Sequence, residues 1–296
     1  MVDSKAARNS EPILYRIAMS LKRRHYRGST RALNMLRAAG YLNRPVDFPL
    51  SDTIRVRVPI VRNMYDQVYI DGYEEDLFIA LATEIRKLPG PVTLLDVGAD
   101  IGLFSLKLLA HCSSITCIFA FEPNSEGFPW LEFNLSRLPK GIEGKAFTSA
   151  ISDFQGQGRL GIPAAHFTPD VETNHTQFFL EPFANGPIAV KTIDSLNLPV
   201  TNSVVLKVDV EGGELPVLRG SARTIASVPN LIVVVEAHPA VARRTGIDPV
   251  ECLRFLASIR PFRFVASETN FELQTDKAVF DQIKPDQIYN VIARSL

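Results

Sequence analysis

A chain of 296 residues that is 46% hydrophobic and 22% charged can bury a full core, which excludes a disordered, fibrous or metal-stapled scaffold. Its net charge is zero, and its three cysteines, Cys112, Cys117 and Cys252, lack CxxC spacing, which argues against a disulfide framework or a zinc ribbon and for a reducing cytoplasm. Apolar runs such as 231–235 fall far short of the roughly 20 residues that span a bilayer, and the opening MVDSKAARNSE lacks the apolar core of a signal peptide; a cytoplasmic location is expected, and the glycosylation-like triplets at Asn134 and Asn174 read as chance.

Charge is distributed unevenly. Residues 1–50 hold ten Lys and Arg against three Asp and Glu, which leaves the remainder at minus seven. The densest run, 21–31, lies beside helical spacing of Ile13, Ile17 and Leu21, then Leu33 and Leu36. A basic helical arm over 1–58 is expected. Its charges either form a solvated face packed on the acidic body or meet an anionic substrate or a membrane surface peripherally. Pro45, Pro49 and Pro59 punctuate a segment in which IRVRVPIV alternates like a half-buried strand, and the boundary is placed there.

From about residue 76 helical and strand patterns alternate, the signature of a doubly wound α/β fold around a mostly parallel sheet. A helix over 76–88 precedes the apolar strand 92–97. Helix 101–110, strand 115–121, helix 125–137 and strand 145–151 continue the winding. Residues 154–190, rich in Gly and Pro, read as an inserted stretch of loops and short antiparallel strands, of the kind that serves as a lid or binding loop. Strand 204–210, a helix over 214–226, strand 231–237, a helix over 248–259 and two terminal strands complete a sheet of seven within a 59–296 domain. The middle strands are apolar throughout, as strands covered on both faces must be.

In an open parallel sheet, ligands bind outside the carboxyl ends of the strands, where strand order reverses. The first strand ends in Asp96-Val97-Gly98-Ala99-Asp100-Ile101-Gly102. Gly98 permits a sharp turn and close approach, and Gly102 a tightly packed helix. A dinucleotide fingerprint from Gly98 needs glycine at 100 and 103, where Asp100 and Leu103 stand, so a nicotinamide-dependent oxidoreductase is the weaker reading. Carboxylates at Asp96 and Asp100 disfavour a pyrophosphate and suit a cation such as the methionine ammonium of S-adenosylmethionine. Glu122 follows the turn at the separation from which an acid reaches ribose hydroxyls, though an acid before the helix-starting Pro123 has a structural explanation as well. Asp153, after the third strand, is an adenine ligand or ordinary turn chemistry.

Taken together, DVGADIG at 96–102, FEPN at 121–124, TIDSL at 192–196, LKVDVEGGELPVLRG at 206–220 and VEAH at 235–238 resemble the successive motifs of the FkbM-type methyltransferase family, with GYEE at 72–75 as an opening motif. The resemblance covers about residues 70–240. It implies a class I, Rossmann-like methyltransferase fold, S-adenosylmethionine as donor, and transfer to a hydroxyl oxygen of a sugar, glycan or natural product. It carries over Asp96, Gly98 and Gly102 as the methionine-side turn, with Ala99 and Asp100 in the same motif, Glu122 as the ribose ligand beside Asn124, and Asp209 as the acid near the transferred methyl. Tyr73 and Glu74 join the cofactor set through GYEE. The chain departs from the family pattern at Asp100, where asparagine is usual, and at Gly213, where alanine is common.

If the acceptor is a hydroxyl, a base must take its proton, and His238, after the strand expected beside Asp209, is the candidate. Glu211, Glu236 and His238 with Asp209 also suggest a divalent cation that would acidify the hydroxyl, although spacing alone establishes no metal site. His111, His166 and His175 receive no role. A nucleic-acid acceptor is disfavoured, because VDVEGGE stands where an N-P-P-Y-like segment would serve a flipped base. A non-catalytic S-adenosylmethionine-binding protein is the remaining alternative.

Overall fold

The computed structural model describes residues 13–42, 44–59, 65–161 and 178–296. They fall into two compact units, Met1–Glu75 and Asp76–Leu296. In the first, α1 (Ile13–Arg23) and α2 (Ser29–Ala38) precede a hairpin of β1 (Val46–Pro49) and β2 (Arg55–Val58), followed by α3 (Gln67–Gly72). Helix α1 buries Tyr15, Ala18 and Met19. Ile13, Ile17 and Leu21, whose spacing marks an apolar helix face, are instead exposed. In the hairpin Phe48, Val56 and Val58 turn inward, while Arg57 lies opposite Asp47 and donates to it at 3.1 Å.

The expected boundary at 58/59 and the observed one at 75/76 differ because α3 is tied to the arm. Asp66 caps α3 by accepting from Tyr69 N at 2.9 Å, and it pairs with Lys22 of α1. Gln67 N donates to the Tyr15 hydroxyl at 3.2 Å.

The second unit runs through α4 (Glu75–Ile85), β3 (Val92–Val97), α5 (Leu103–His111), β4 (Ile115–Phe121), α6 (Phe128–Leu135), β5 (Glu143–Phe147), β6 (Ala150–Ile151), β7 (Gly156–Gly161), β8 (Phe179–Pro182), β9 (Ile188–Lys191) and α7 (Ile193–Leu196). It continues with β10 (Ser203–Val208), α8 (Glu214–Arg219), α9 (Ala222–Ser227), β11 (Asn230–Ala237), α10 (Pro239–Thr245), α11 (Val250–Ile259), β12 (Phe262–Ala266), β13 (Phe271–Glu272), α12 (Val279–Gln282) and β14 (Tyr289–Ser295). The main sheet has the order β13-β12-β14-β11-β10-β3-β4-β5. Strands β11, β10, β3, β4 and β5 are parallel neighbours, and β14 is antiparallel to both β11 and β12.

The sheet is therefore eight-stranded rather than seven-stranded, and mixed, with four parallel pairings and three antiparallel ones at the β13 side. The additional strand, β13, is a two-residue return against β12, too short to show any periodicity in sequence. The chain winds outward from β3 through β4 to β5 and then returns to β10 and β11. The reversal lies between β3 and β10, which puts the carboxyl-end crevice there.

Three further expectations need correction. The strand expected over 145–151 is two strands: β5 ends at Phe147, and β6 leaves the main sheet to pair with β9 in a four-stranded sheet of order β6-β9-β7-β8. The helix expected over 214–226 breaks at Gly220, where an added Cβ would stand 1.9 Å from the Ser152 carbonyl oxygen. Helix α10, which Pro239 starts, was not expected; its polar exposed residues carry a weak apolar pattern. The insertion does form short antiparallel strands, β7 with β8 and with β9. Its lid reading falls largely on 162–177, with His166 and His175, outside the described residues.

Alternation sorts the strand side chains. Val97, Leu206, Val208, Val233, Val235 and Val291 join one core cluster with α8, α9 and α11. Asp96 and Lys207, directly opposite each other in register, face the other side, where Phe78 of α4 and Phe104 of α5 pack. No helix among the described residues is long and apolar enough to cross a membrane.

Candidate functional site

The β3 turn is built by positive φ at Gly98 (80°), Asp100 (48°) and Gly102 (85°). Glycine is required at 98, since a Cβ there would lie 1.8 Å from the Asp209 carbonyl oxygen. Asp100 tolerates the left-handed region as Asn and Asp do, so the departure from asparagine preserves the backbone and adds a charge. The turn is pinned to β4 by Gly98 N and Ala99 N, which both donate to Phe121 O at 3.0 Å. Gly102, where a Cβ would meet Leu131 at 3.0 Å, lets α6 close over the turn, and Asn134 of α6 donates to Ile101 O at 2.8 Å.

Glu122 serves as the strut between the two strand ends. Its carboxylate accepts from Asp100 N and from Asn124 N, each at 2.8 Å, while Asn124 accepts from Glu126 N at 3.0 Å. Burial, then the nearby Asp100 carboxylate, pushes Glu122 up to about 7 against those two hydrogen bonds. Each oxygen keeps a lone pair, so the same carboxylate that shapes the turn can accept from a vicinal diol.

Under the turn lies Lys207, a residue that sequence reasoning left without a role. Its ammonium donates to Gly98 O at 2.9 Å, stands 3.1 Å from Asp209 Oδ2 and 3.5 Å from Asp96 Oδ1, and sits 5.4 Å from the Phe104 ring centre. Asp96 is fully buried and accepts from Ser105 Oγ at 2.6 Å; among the described residues its Oδ1 has no hydrogen-bond partner and faces the Lys207 charge at 3.5 Å. Asp96 thus acts on the turn through Lys207, and its register opposite Lys207 on β10 was the signal available in sequence once those strands were taken as neighbours.

Beyond β10 the chain makes a second tight turn, with Glu211 (φ 53°) and Gly212 (φ 101°) left-handed. Glu214 accepts from Gly212 N at 3.0 Å and Val210 N at 3.3 Å, closing the start of α8. Burial, then Asp209, pushes Glu211 up to about 7, opposed by Arg244, whose guanidinium donates to the Glu211 carbonyl and lies over the Phe179 ring of β8. Glu214 is also raised, first by burial. Both Gly212 and Gly213 stand close to neighbours, Gly212 to Thr245 and Gly213 to Val210.

His238 caps α10: its Nδ1 accepts from Ala240 N at 3.1 Å. A neutral ring that accepts at Nδ1 carries its proton on Nε2, so in this arrangement Nε2 is a donor. Burial lowers the His238 pKa, partly offset by Asp209. Glu236 sits within β11 opposite Asn290. Asp153 is not at the end of β5; it is exposed in the turn after β6, 3.4 Å from Ser152 Oγ. The TIDSL segment is architectural, with Thr192 capping α7 and Asp194 accepting from Arg223 N and Thr224 N at the start of α9. Tyr73 and Glu74 belong to the first unit, Tyr73 with its ring 5.5 Å from that of Tyr69.

Among the described residues no three His, Cys, Asp or Glu side chains are arranged to hold a metal ion, so the structure lends no support to a cation bound by Asp209, Glu211, Glu236 and His238. The cysteines are buried, and burial raises each thiol, Cys112 to about 11. What the strand ends do offer is clustered acid: Asp96 and Asp209 flank Lys207, Glu211 lies beside Arg244, and Glu122 and Glu211 are raised to about 7 by burial first and then by Asp100 and Asp209 respectively. Such a crevice fits a cationic ligand.

A curated relative, the hexuronic acid methyltransferase AglP of Haloferax volcanii, is 31% identical over 171 residues, which cover 56% of this chain and 62% of that protein. The chain thus matches under two thirds of the relative's length. Among solved structures, the precorrin-6y C5,15-methyltransferase of Geobacter metallireducens GS-15 is similar at 12% identity and a TM-score of 0.38, over 75% of this chain and 88% of that one. A geranyl diphosphate methyltransferase in complex with SAM is similar at 11% identity and a TM-score of 0.42, over 78% and 91%. The methyltransferase FkbM domain model matches residues 96–263, from the buried Asp96 of the β3 turn into β12, and on that match the chain belongs to the FkbM methyltransferase domain family.

Proposed function

We propose that the protein is an S-adenosylmethionine-dependent methyltransferase acting on a hydroxyl oxygen of a sugar, with a sugar acid as the first acceptor to test, since the curated relative is named for a hexuronic acid. The observation that carries the reading is the turn at the acidic crevice between β3 and β10, where positive φ at Gly98 brings the backbone against Asp209 and the buried Glu122 carboxylate accepts from Asp100 N and Asn124 N, in a chain of the FkbM methyltransferase domain family. S-adenosylmethionine, when bound, supplies an electrophilic methyl group on a sulfonium, and its positive charges suit that crevice. Glu122 would accept from the ribose hydroxyls, Gly98 and Ala99 would give the backbone approach, and Asp209 would face the cationic centre.

On this reading Glu211 takes the acceptor proton. A carboxyl titrating near 7 is matched to that task at neutral pH, and its proton uptake relieves repulsion from Asp209. His238, with its proton on Nε2, would hydrogen-bond and orient the acceptor oxygen rather than deprotonate it. Phe179 and Arg244 at the rim would offer a ring face for the sugar and a guanidinium for its carboxylate. Calorimetry with S-adenosylmethionine, followed by labelled-methyl transfer to glucuronic- and galacturonic-acid glycosides beside their neutral counterparts, tests the proposal. Binding with transfer to the acidic sugars is expected, and absence of S-adenosylmethionine binding would overturn it.

A further inference from the structure

We infer that the α1–α2 hairpin is a docking surface for an anionic lipid bilayer. Residues 13–42 contain seven Lys and Arg and no Asp or Glu. On α1, Ile13 (73% exposed), Leu14 (49%), Ile17 (51%) and Leu21 (36%) fall at i, i+1, i+4 and i+8, within one stripe of the helix. The opposite face already has its partners, since Tyr15, Ala18 and Met19 are buried. The stripe is therefore a second apolar face, not the inner face of an ordinary amphipathic helix.

Exposed cationic and aromatic groups accompany it along the same two helices and the segments flanking them. Arg16, Arg24, Arg27 and Arg31 are exposed, and Tyr26, Met35 and Tyr41 are exposed by more than half. This is the composition of a helix that lies in the plane of a membrane interface, with aliphatic side chains at the acyl boundary and arginines among anionic headgroups. Tyrosines favour the same depth. A nucleic acid would use the arginines and leave the aliphatic stripe in water. Lys22 and Arg23 pair with Asp66 and Asp71, but a second copy packed two-fold on this face would still set Arg16, Arg24, Arg27 and Arg31 against the same four arginines. An anionic bilayer satisfies both features at once, and the two signals together are what stable peripheral binding requires.

The test is co-sedimentation of the full chain with phosphatidylcholine vesicles, with and without phosphatidylglycerol. Ile17→Glu/Leu21→Glu alters only exposed side chains, and Arg24→Ser/Arg27→Ser changes the exposed turn; thermal melting verifies that both remain folded. We expect binding to the anionic vesicles, reversed by salt, and at least about tenfold weaker partition for either variant and for neutral vesicles. Absence of binding to anionic vesicles, equal binding to neutral ones, or binding that neither variant weakens would overturn the inference. So would self-association through Ile17 and Leu21, or tighter binding to duplex RNA than to vesicles.

Discussion

Replacing Lys207 by Met tests the centre of the site most directly. The side chain is almost fully buried, and its loss removes the donor to Gly98 O together with the only ammonium facing Asp96 and Asp209 among the described contacts. Asp209 is partly exposed and can turn to water, but Asp96 is at 0% exposure with Ser105 as its hydrogen-bond donor. Breaking a buried pair by removing one partner costs about 3–5 kcal/mol, because the other charge stays behind. For a unit of this size each kcal/mol lowers Tm by about 2–4 °C. Asp96→Asn leaves Lys207 with Asp209 and Gly98 O, so it should cost less, about 1–3 kcal/mol. In Asp96→Asn/Lys207→Met no buried carboxylate is stranded, and the double variant should recover about 1–3 kcal/mol relative to the sum of the singles. Urea unfolding of the four proteins at pH 7.5 reads the cycle. A Lys207→Met cost below about 1 kcal/mol, or strict additivity, would refute the ion network as the support of the turn.

Gly98→Ala should abolish S-adenosylmethionine binding and lower Tm, since the new Cβ collides with the Asp209 backbone at a positive φ; calorimetry and melting measure both. Glu122 has a folded pKa of about 7, above its ordinary value, so the folded protein keeps a proton that the unfolded chain has lost. Its contribution to stability is full below about 4.5 and is lost as pH rises through 7, on the order of 3 kcal/mol. Glu122→Gln should therefore flatten the fall in stability between pH 5 and 8, in urea titrations at each pH, while losing one backbone acceptor. The rate of methyl transfer should rise as pH passes about 7 and Glu211 deprotonates; Arg244→Met, by removing a charge that lowers Glu211, should move that limb to higher pH in a kcat profile. An unmoved limb would assign the titration to another group.

Much of the frame was legible in sequence. The largely apolar runs at 92–97, 204–208 and 231–237 read as strands covered on both faces, and the glycines at 98 and 102 mark a turn whose need for φ above zero is local. Glu122 was singled out from its separation from the glycine turn and its place in the FEPN motif, while its two backbone hydrogen bonds were not foreseen. Where local pattern and packing parted, sequence misled. Ile13, Ile17 and Leu21 have core spacing and face outward, and 145–151 reads as one strand although its two halves pair in different sheets.

The sequence by itself determined the alternation of helices and strands, the glycine turn after β3 and the family, because these depend on residues near one another along the chain. Only the tertiary structure decided how charge is shared at the site. Asp96 and Lys207 are 111 positions apart and become neighbours through the pairing of β3 with β10; Asp209, Glu211 and Arg244 meet through two turns and a helix that spacing did not predict. Burial and Coulomb interaction depend on distance in space, and it is that proximity, of Asp209 above all, that adds to burial in lifting Glu211 toward 7.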